Sequence, residues 1–226
     1  MARIPGRNGA HPQLNVPSQT PSISAAAVLH LMRSDRTLAR HIRRVGECGL
    51  KPHRRRGIFR ALVHAVAHQQ LNGTAAGTIL RRFVALYPGK AFPSPAEVLL
   101  TPDEILRSAG LSRAKVAAVK DIAAQANGGV IPSSRVIARL RDEEIIERLT
   151  TIRGVGPWTV EMLLIFTLGR PDVLPATDFG VRKGFARLHG LKVLPTPKDL
   201  LEHGERWRPH RSMAAWYLWR AADLPE

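Results

Sequence analysis

The stretch Leu149-Thr150-Thr151-Ile152-Arg153-Gly154-Val155-Gly156-Pro157-Trp158-Thr159 decides how the rest of this chain is read. It follows a helical run from Asp142 to Leu149 and precedes another from Val160 to Leu168. Two glycines one residue apart allow a turn between helices to take positive φ and to expose backbone N–H groups, and the next helix adds its positive N-terminal end. That geometry suits a phosphate. A Gly-x-Gly between two helices is also the mark of an ordinary helix-ending turn. Pro157 lacks an N–H and cannot donate in either case.

Outward from this turn the patterns stay helical. Ser24 to Arg33 is rich in Ala and Leu, and Ile58, Leu62, Ala65 and Val66 recur at helical spacing. Val116, Val119, Ile122 and Ala126 do the same between Ser112, a plausible N-cap, and the stop Asn127-Gly128-Gly129. Pro102 is predicted at the first position of a helix. Strand signals are weak; Val130-Ile131 and Val193-Leu194 are too short to build a sheet. The expected fold is all-α: a helical bundle of about ten helices with short loops, in two interleaved lobes around a cleft.

With 226 residues and 44% hydrophobic content the chain can bury a sizeable core as one domain or two closely interleaved lobes. Residues 1–20 mix Pro, Gly, Asn and Gln without periodicity and are expected to form a flexible basic tail, with residues 21–226 as the folded domain. Lys and Arg number 34 against 18 Asp and Glu, a formal charge of +16, which calls for a polyanionic partner. No apolar run approaches the roughly 20 residues that span a bilayer, so nucleic acid is preferred over a membrane. Lys51-Pro52-His53-Arg54-Arg55-Arg56, with Arg40, Arg43 and Arg44, adds to that basic footprint or is simply a solvated face. The single cysteine, Cys48, excludes an internal disulfide, a four-cysteine zinc site and a four-cysteine iron–sulfur cluster. A reducing cytoplasm is the expected compartment, since no signal-peptide stretch opens the chain.

A carboxylate stands about twenty residues beyond the glycine turn, in Leu174-Pro175-Ala176-Thr177-Asp178-Phe179-Gly180-Val181-Arg182-Lys183, where a loop enters a helical run. Asp178 reads as an N-cap. The cap is compatible with chemistry, because a helix N-terminus favours the ionised form that stabilises a cation or attracts the proton of a water.

Taken together, the apolar positions Leu149, Ile152, Val155, Val160, Leu163 and Leu164 around the two glycines, followed by a Gly/Pro-containing loop and Asp178, resemble the helix-hairpin-helix (HhH-GPD) DNA glycosylases. The resemblance covers roughly residues 24–220, including Ala67-His68-Gln69-Gln70-Leu71 and Arg206-Trp207-Arg208-Pro209-His210-Arg211-Ser212, and is nearest to the AlkA-type 3-methyladenine DNA glycosylase II group. It implies a DNA-repair hydrolase acting on damaged bases in double-stranded DNA, with the hairpin at 149–159 and the catalytic loop at 171–180. The enteric-type members carry an extra N-terminal domain for which there is no room, so the chain looks like the compact catalytic core, expected to act as a monomer.

The resemblance also assigns roles. Asp178 would be the catalytic carboxylate. The backbone carbonyls of Thr150, Ile152 and Val155 would hold a monovalent Na⁺ or K⁺ ion, the one ion suggested; no cofactor, zinc or iron–sulfur cluster is expected. The amides of Gly154 and Gly156, with neighbouring Thr159, would face a DNA phosphate. Leu71 occupies the position of the wedge that fills the gap left by a flipped nucleotide, although a leucine ending a helix is ordinarily core. Gln69 and Gln70 either reach base or phosphate edges or cap backbone groups at the helix end. Strand-cutting relatives carry a lysine where this chain has Trp158, and a tryptophan cannot form a Schiff base, which implies a monofunctional enzyme. Trp158, Phe179 and Trp219 line a base pocket or pack in the core, Trp207 and Trp216 pack in the core, and Met162 stands where relatives have an aromatic, in the same pocket.

Overall fold

The computed structural model describes residues 25–53, 57–71 and 73–223. The expected tail at 1–20, Arg54 to Arg56 of the basic stretch and Asn72 lie outside the described residues. The helices are α1 (Ala25–Ser34), α2 (Arg36–Val45), α3 (Ile58–His68), α4 (Gly73–Ala85), α5 (Pro95–Leu100), α6 (Asp103–Ser108) and α7 (Arg113–Asn127). They continue as α8 (Ser134–Ile137), α9 (Asp142–Leu149), α10 (Pro157–Leu163), α11 (Phe179–His189), α12 (Pro197–Gly204) and α13 (Arg211–Ala222). A π-helical turn, Leu164–Leu168, extends α10, and a 3₁₀ turn, Glu205–Trp207, follows α12. No strand occurs among the described residues. The all-α expectation holds, with thirteen helices among the described residues rather than about ten because several are only four to eight residues long.

Local signals set the helix ends. Ser112 accepts the Lys115 N–H at the start of α7, and Gly128 and Gly129, the latter at φ 78°, stop it. Ser94 and Glu97 form a reciprocal capping box on α5. Pro102 differs from its predicted place: it is the N-cap of α6, at φ −57° and ψ 148°, and the helix begins one residue later.

Two apolar cores give two lobes. The stripes on α3 and α7 read from the sequence meet here: Leu62, Val66, Val119 and Ile122 join Phe83, Leu106, Ile145, Leu149 and Ile152 in a core built from residues 58–173. The second core joins the first helices to the last: Leu31, Leu38 and Ile42 of α1 and α2 pack on Val181, Trp207, Tyr217 and Leu218. The lobes interleave because the chain leaves the second for the first and returns. Asp35 fastens that return: its Oδ1 caps α2 by accepting the Thr37 and Leu38 amides, while its Oδ2 accepts from His203 Nε2 at 2.9 Å and Trp207 Nε1 at 3.2 Å. Helices α11 and α13 cross so closely that a Cβ at Gly184 would overlap the Leu218 carbonyl. Trp219, on α13, packs against both cores.

Candidate active site

Asp178 is the N-cap of α11, and its Oδ1 accepts the Val181 amide at 2.8 Å. The same oxygen accepts Trp219 Nε1–H at 2.9 Å, and Oδ2 accepts Trp158 Nε1–H at 2.7 Å. One indole comes from α10 and the other from α13, so the carboxylate sits where the lobes meet. Gly180 permits this approach: a Cβ there would lie 2.9 Å from Trp219 Cδ1 and 3.2 Å from Asp178 Oδ1. The loop leading to Asp178 is pinned from below. Arg211 holds Asp172 through its Nε, 2.8 Å from Oδ1, and its Nη2, 3.1 Å from Oδ2. Ser212 Oγ donates to the Arg170 carbonyl and accepts the Val173 amide.

Beside this carboxylate lies a cavity of ≈ 410 Å³ lined by His53, Ala61, His64, Ala65, His68, Leu71, Trp158, Met162, Leu163, Phe166 and Thr167. Trp158 thus serves two surfaces, the cavity and Asp178. Met162 lines the same wall one turn further along α10, as its spacing from Trp158 implies. Trp219 stands behind it, stacked on Phe166 with ring centroids 5.5 Å apart. Phe179 corrects the sequence reading: at the first position of α11 it is 66% exposed and does not line the cavity, because the first turn of the helix points it to solvent. Trp207 is fully buried and Trp216 packs against the second core. Sequence reasoning missed the three histidines. His64 and His68 are four apart on α3, a spacing that put them on one face, but His53 reaches the cavity only because its amide bonds the Phe166 carbonyl at 2.7 Å.

The hairpin follows its expected form. Ile152 and Val155 are buried, Gly154 is at φ 76°, and Gly156 is the N-cap of α10 with Pro157 at its first position. Gly154 is required twice, by its φ and by contact: a Cβ would meet Ala118 Cβ of α7 at 2.5 Å. Among the described residues the Gly154 and Gly156 amides meet no protein acceptor, whereas the Arg153 amide donates to Asp121 Oδ2. The Ile152 carbonyl accepts the Val155 amide; Thr150, which caps α9, and Val155 stand either side of it.

Thr159 is the second correction. It is 1% exposed, its amide bonds the Gly156 carbonyl, and its hydroxyl accepts Gln69 Nε2–H at 2.9 Å, so it faces the interior rather than DNA. Gln69 also donates to the Gly154 carbonyl at 2.9 Å, which is the backbone-capping alternative with the hairpin as its object. Lys115 Nζ holds the other side of this junction, donating to the Ala67 and Gln69 carbonyls. Gln70 is exposed and adopts φ 57°, a left-handed conformation uncommon outside glycine. Next to it, Leu71 is 40% exposed at the edge of the cavity. An exposed leucine at the end of a helix is not core.

Comparison with known proteins follows the same outline. The family model described as the HhH-GPD superfamily base excision DNA repair protein matches residues 63–209. DNA-3-methyladenine glycosylase 1 of Schizosaccharomyces pombe is 41% identical over 203 residues, covering 88% of each chain. The solved structure of the S. pombe 3-methyladenine DNA glycosylase in complex with abasic DNA superposes with a TM-score of 0.83 at 42% identity, over 88% of this chain and 97% of that one. A DNA-3-methyladenine glycosidase from Bacillus halodurans gives 0.75 at 33% identity, over 89% and 91%. This chain belongs to the HhH-GPD superfamily of base excision DNA repair proteins.

Proposed function

We propose that this protein is a monofunctional DNA glycosylase that flips an alkylated purine of the 3-methyladenine type out of duplex DNA and hydrolyses its N-glycosidic bond, leaving an abasic site. The observation that carries the reading is Asp178, gripped by Trp158 and Trp219, with Trp158 also lining an aromatic and histidine-lined cavity. Its relatives are named as 3-methyladenine DNA glycosylases, which favours the same substrate class.

The chemistry follows from charge. An N-alkylated purine is already cationic and leaves without strong acid assistance, so the barrier lies in the oxocarbenium-like sugar. A fixed carboxylate beside the sugar stabilises that cation, and Asp178, oriented by three N–H donors, has no reorganisation left to undergo. The face of Trp158 offers stacking and cation–π attraction to the flipped base. Leu71 is the wedge, with exposed Gln70 beside it.

The open amides of Gly154 and Gly156 take a phosphate. The carbonyls of Thr150, Ile152 and Val155 are hard oxygen donors that suit a sodium or potassium ion, which would add positive charge beside that phosphate. Trp158 in the lyase-lysine position leaves no amine for a Schiff base.

The test is base release from methylated duplex DNA by Asp178→Asn. A loss of about 100-fold or more is expected, the scale of removing a key electrostatic group. Full activity would end the assignment. A panel of single-lesion oligonucleotides then ranks the substrates.

A further inference from the structure

Glu161 lies on α10 three residues after Trp158, on the face of the helix that reaches Asp178. Its Oε2 is completely buried and accepts no hydrogen bond among the described residues; its other oxygen is not sealed in this way. No lysine, arginine or histidine among the described residues forms an ion pair with it, and the charge that acts on it is that of Asp178. A buried carboxyl oxygen without a donor costs stability, and its retention calls for an explanation. A carboxyl of this kind beside a catalytic carboxylate is a candidate for chemistry.

Asp178 needs such a companion. Its oxygens already accept three N–H donors, which commits most of a carboxylate's roughly four acceptor positions. It is built to stand beside a cation. Hydrolysis also needs a group that holds the attacking water and takes its proton, and Asp178 has little capacity left for that.

We infer that Glu161 is the general base of the reaction, orienting the water that attacks the sugar. The water oxygen bonds to C1′, the N-glycosidic bond breaks with its electron pair going to the cationic purine, and the water's proton passes to the Glu161 carboxylate. The base leaves neutral, the sugar becomes an abasic hemiacetal, and Glu161 returns its proton to solvent. Burial first, and the charge of Asp178 second, push the Glu161 carboxyl up to about 7. A base with a pKa near the working pH accepts a proton readily and is still substantially ionised. The inference rests on the reading of Asp178 as the carboxylate beside the sugar.

The experiment is single-turnover base release from dimethyl sulfate-methylated duplex DNA between pH 6 and 8, with thermal melting of every variant. The wild-type rate is expected to rise with pH through about 7 and level off. Glu161→Gln is expected to be about 100-fold slower at pH 8, to lose that rise, and to melt at a higher temperature because a buried charge is gone. Since ionisation changes about tenfold over this span, the ratio of wild-type to E161Q rates should grow about tenfold from pH 6 to pH 8. Glu161→Asp, which keeps a carboxylate, should recover part of the rate and the pH limb.

An E161Q protein with the wild-type rate and profile overturns the proposal, and so does a slow one that melts at a lower temperature and shows an unchanged pH limb. Asp178→Asn separates the two readings. If it is inactive at every pH while E161Q is unaffected, only the Glu161 inference fails; if it is fully active, the reading of Asp178 fails first.

Discussion

The side-chain amide of Gln69 donates to the backbone carbonyl of Gly154 across 2.9 Å, joining the end of α3 to the hairpin although 85 residues separate them. The same nitrogen reaches Thr159 Oγ1, so the segment bearing Leu71 is tied to the glycine turn at two points. Gln69→Ala cuts that link and leaves a buried threonine hydroxyl short of a donor. A stability loss of about 1 kcal/mol is expected in urea denaturation. Weaker binding to an abasic-site duplex should accompany it, measured by fluorescence anisotropy, and unchanged affinity would show that this link does not bear on DNA binding.

Leu71 is exposed without a core to fill. Leu71→Ala should therefore leave the melting temperature nearly unchanged while weakening affinity for an abasic-site duplex more than for intact duplex. Equal weakening of both would count against a wedge.

Gly180 separates Asp178 from Trp219 by the smallest available residue. Gly180→Ala should push the Trp219 indole off Oδ1 and misplace the carboxylate. Base release is expected to fall about 10- to 100-fold, as misplacement by about 1 Å does in oriented active sites. Far-ultraviolet circular dichroism should stay that of the native helix bundle, and an unaltered rate would mean that the Trp219 bond is dispensable.

Asp35 clamps the start of α2 to α12 and the 3₁₀ turn that follows it. Burial acts to raise its pKa, but the His203 hydrogen bond, the Leu38 amide and the nearby His189 outweigh it and hold the carboxyl well below the usual range. A depressed carboxylate contributes stability that is full above its unfolded value, about 3.9, and is lost as pH falls toward its folded value. Asp35→Ala removes the α2 cap and strands the Trp207 and His203 donors, so a loss of about 2–4 kcal/mol is expected at neutral pH. The stability of the variant should also depend less on pH below about 4 than that of the wild type, as followed by urea denaturation.

Affinity for any duplex should fall steeply between 50 and 200 mM salt, because a chain of charge +16 displaces counterions from DNA. A flat salt profile in the same anisotropy assay would place the basic residues away from the interface.

Much of this protein is written locally. Helix starts at Ser112 and Asp178, the stop at Gly128, the turn at Gly154, and apolar stripes on α3 and α7 each depend on residues within a few positions of one another. The all-α class, the hairpin and the capping carboxylate were accordingly legible from sequence. The resemblance to a repair family rested on the order and spacing of these local signals.

What the chain does with them was decided by packing at a distance. Trp158 and Trp219 converge on Asp178 from 20 and 41 residues away, while Phe179, its immediate neighbour, turns outward. Thr159 faces Gln69 instead of DNA, His53 joins His64 and His68 in one cavity, and the Glu161 Oε2 is buried within reach of the Asp178 charge with no donor among the described residues. None of these follows from periodicity, which assigns a residue to a face of its own helix but not to a partner. The partners were chosen by the interleaving of the two lobes, because burying both apolar cores at once is what brings α10, α13 and the loop before α11 to a single point.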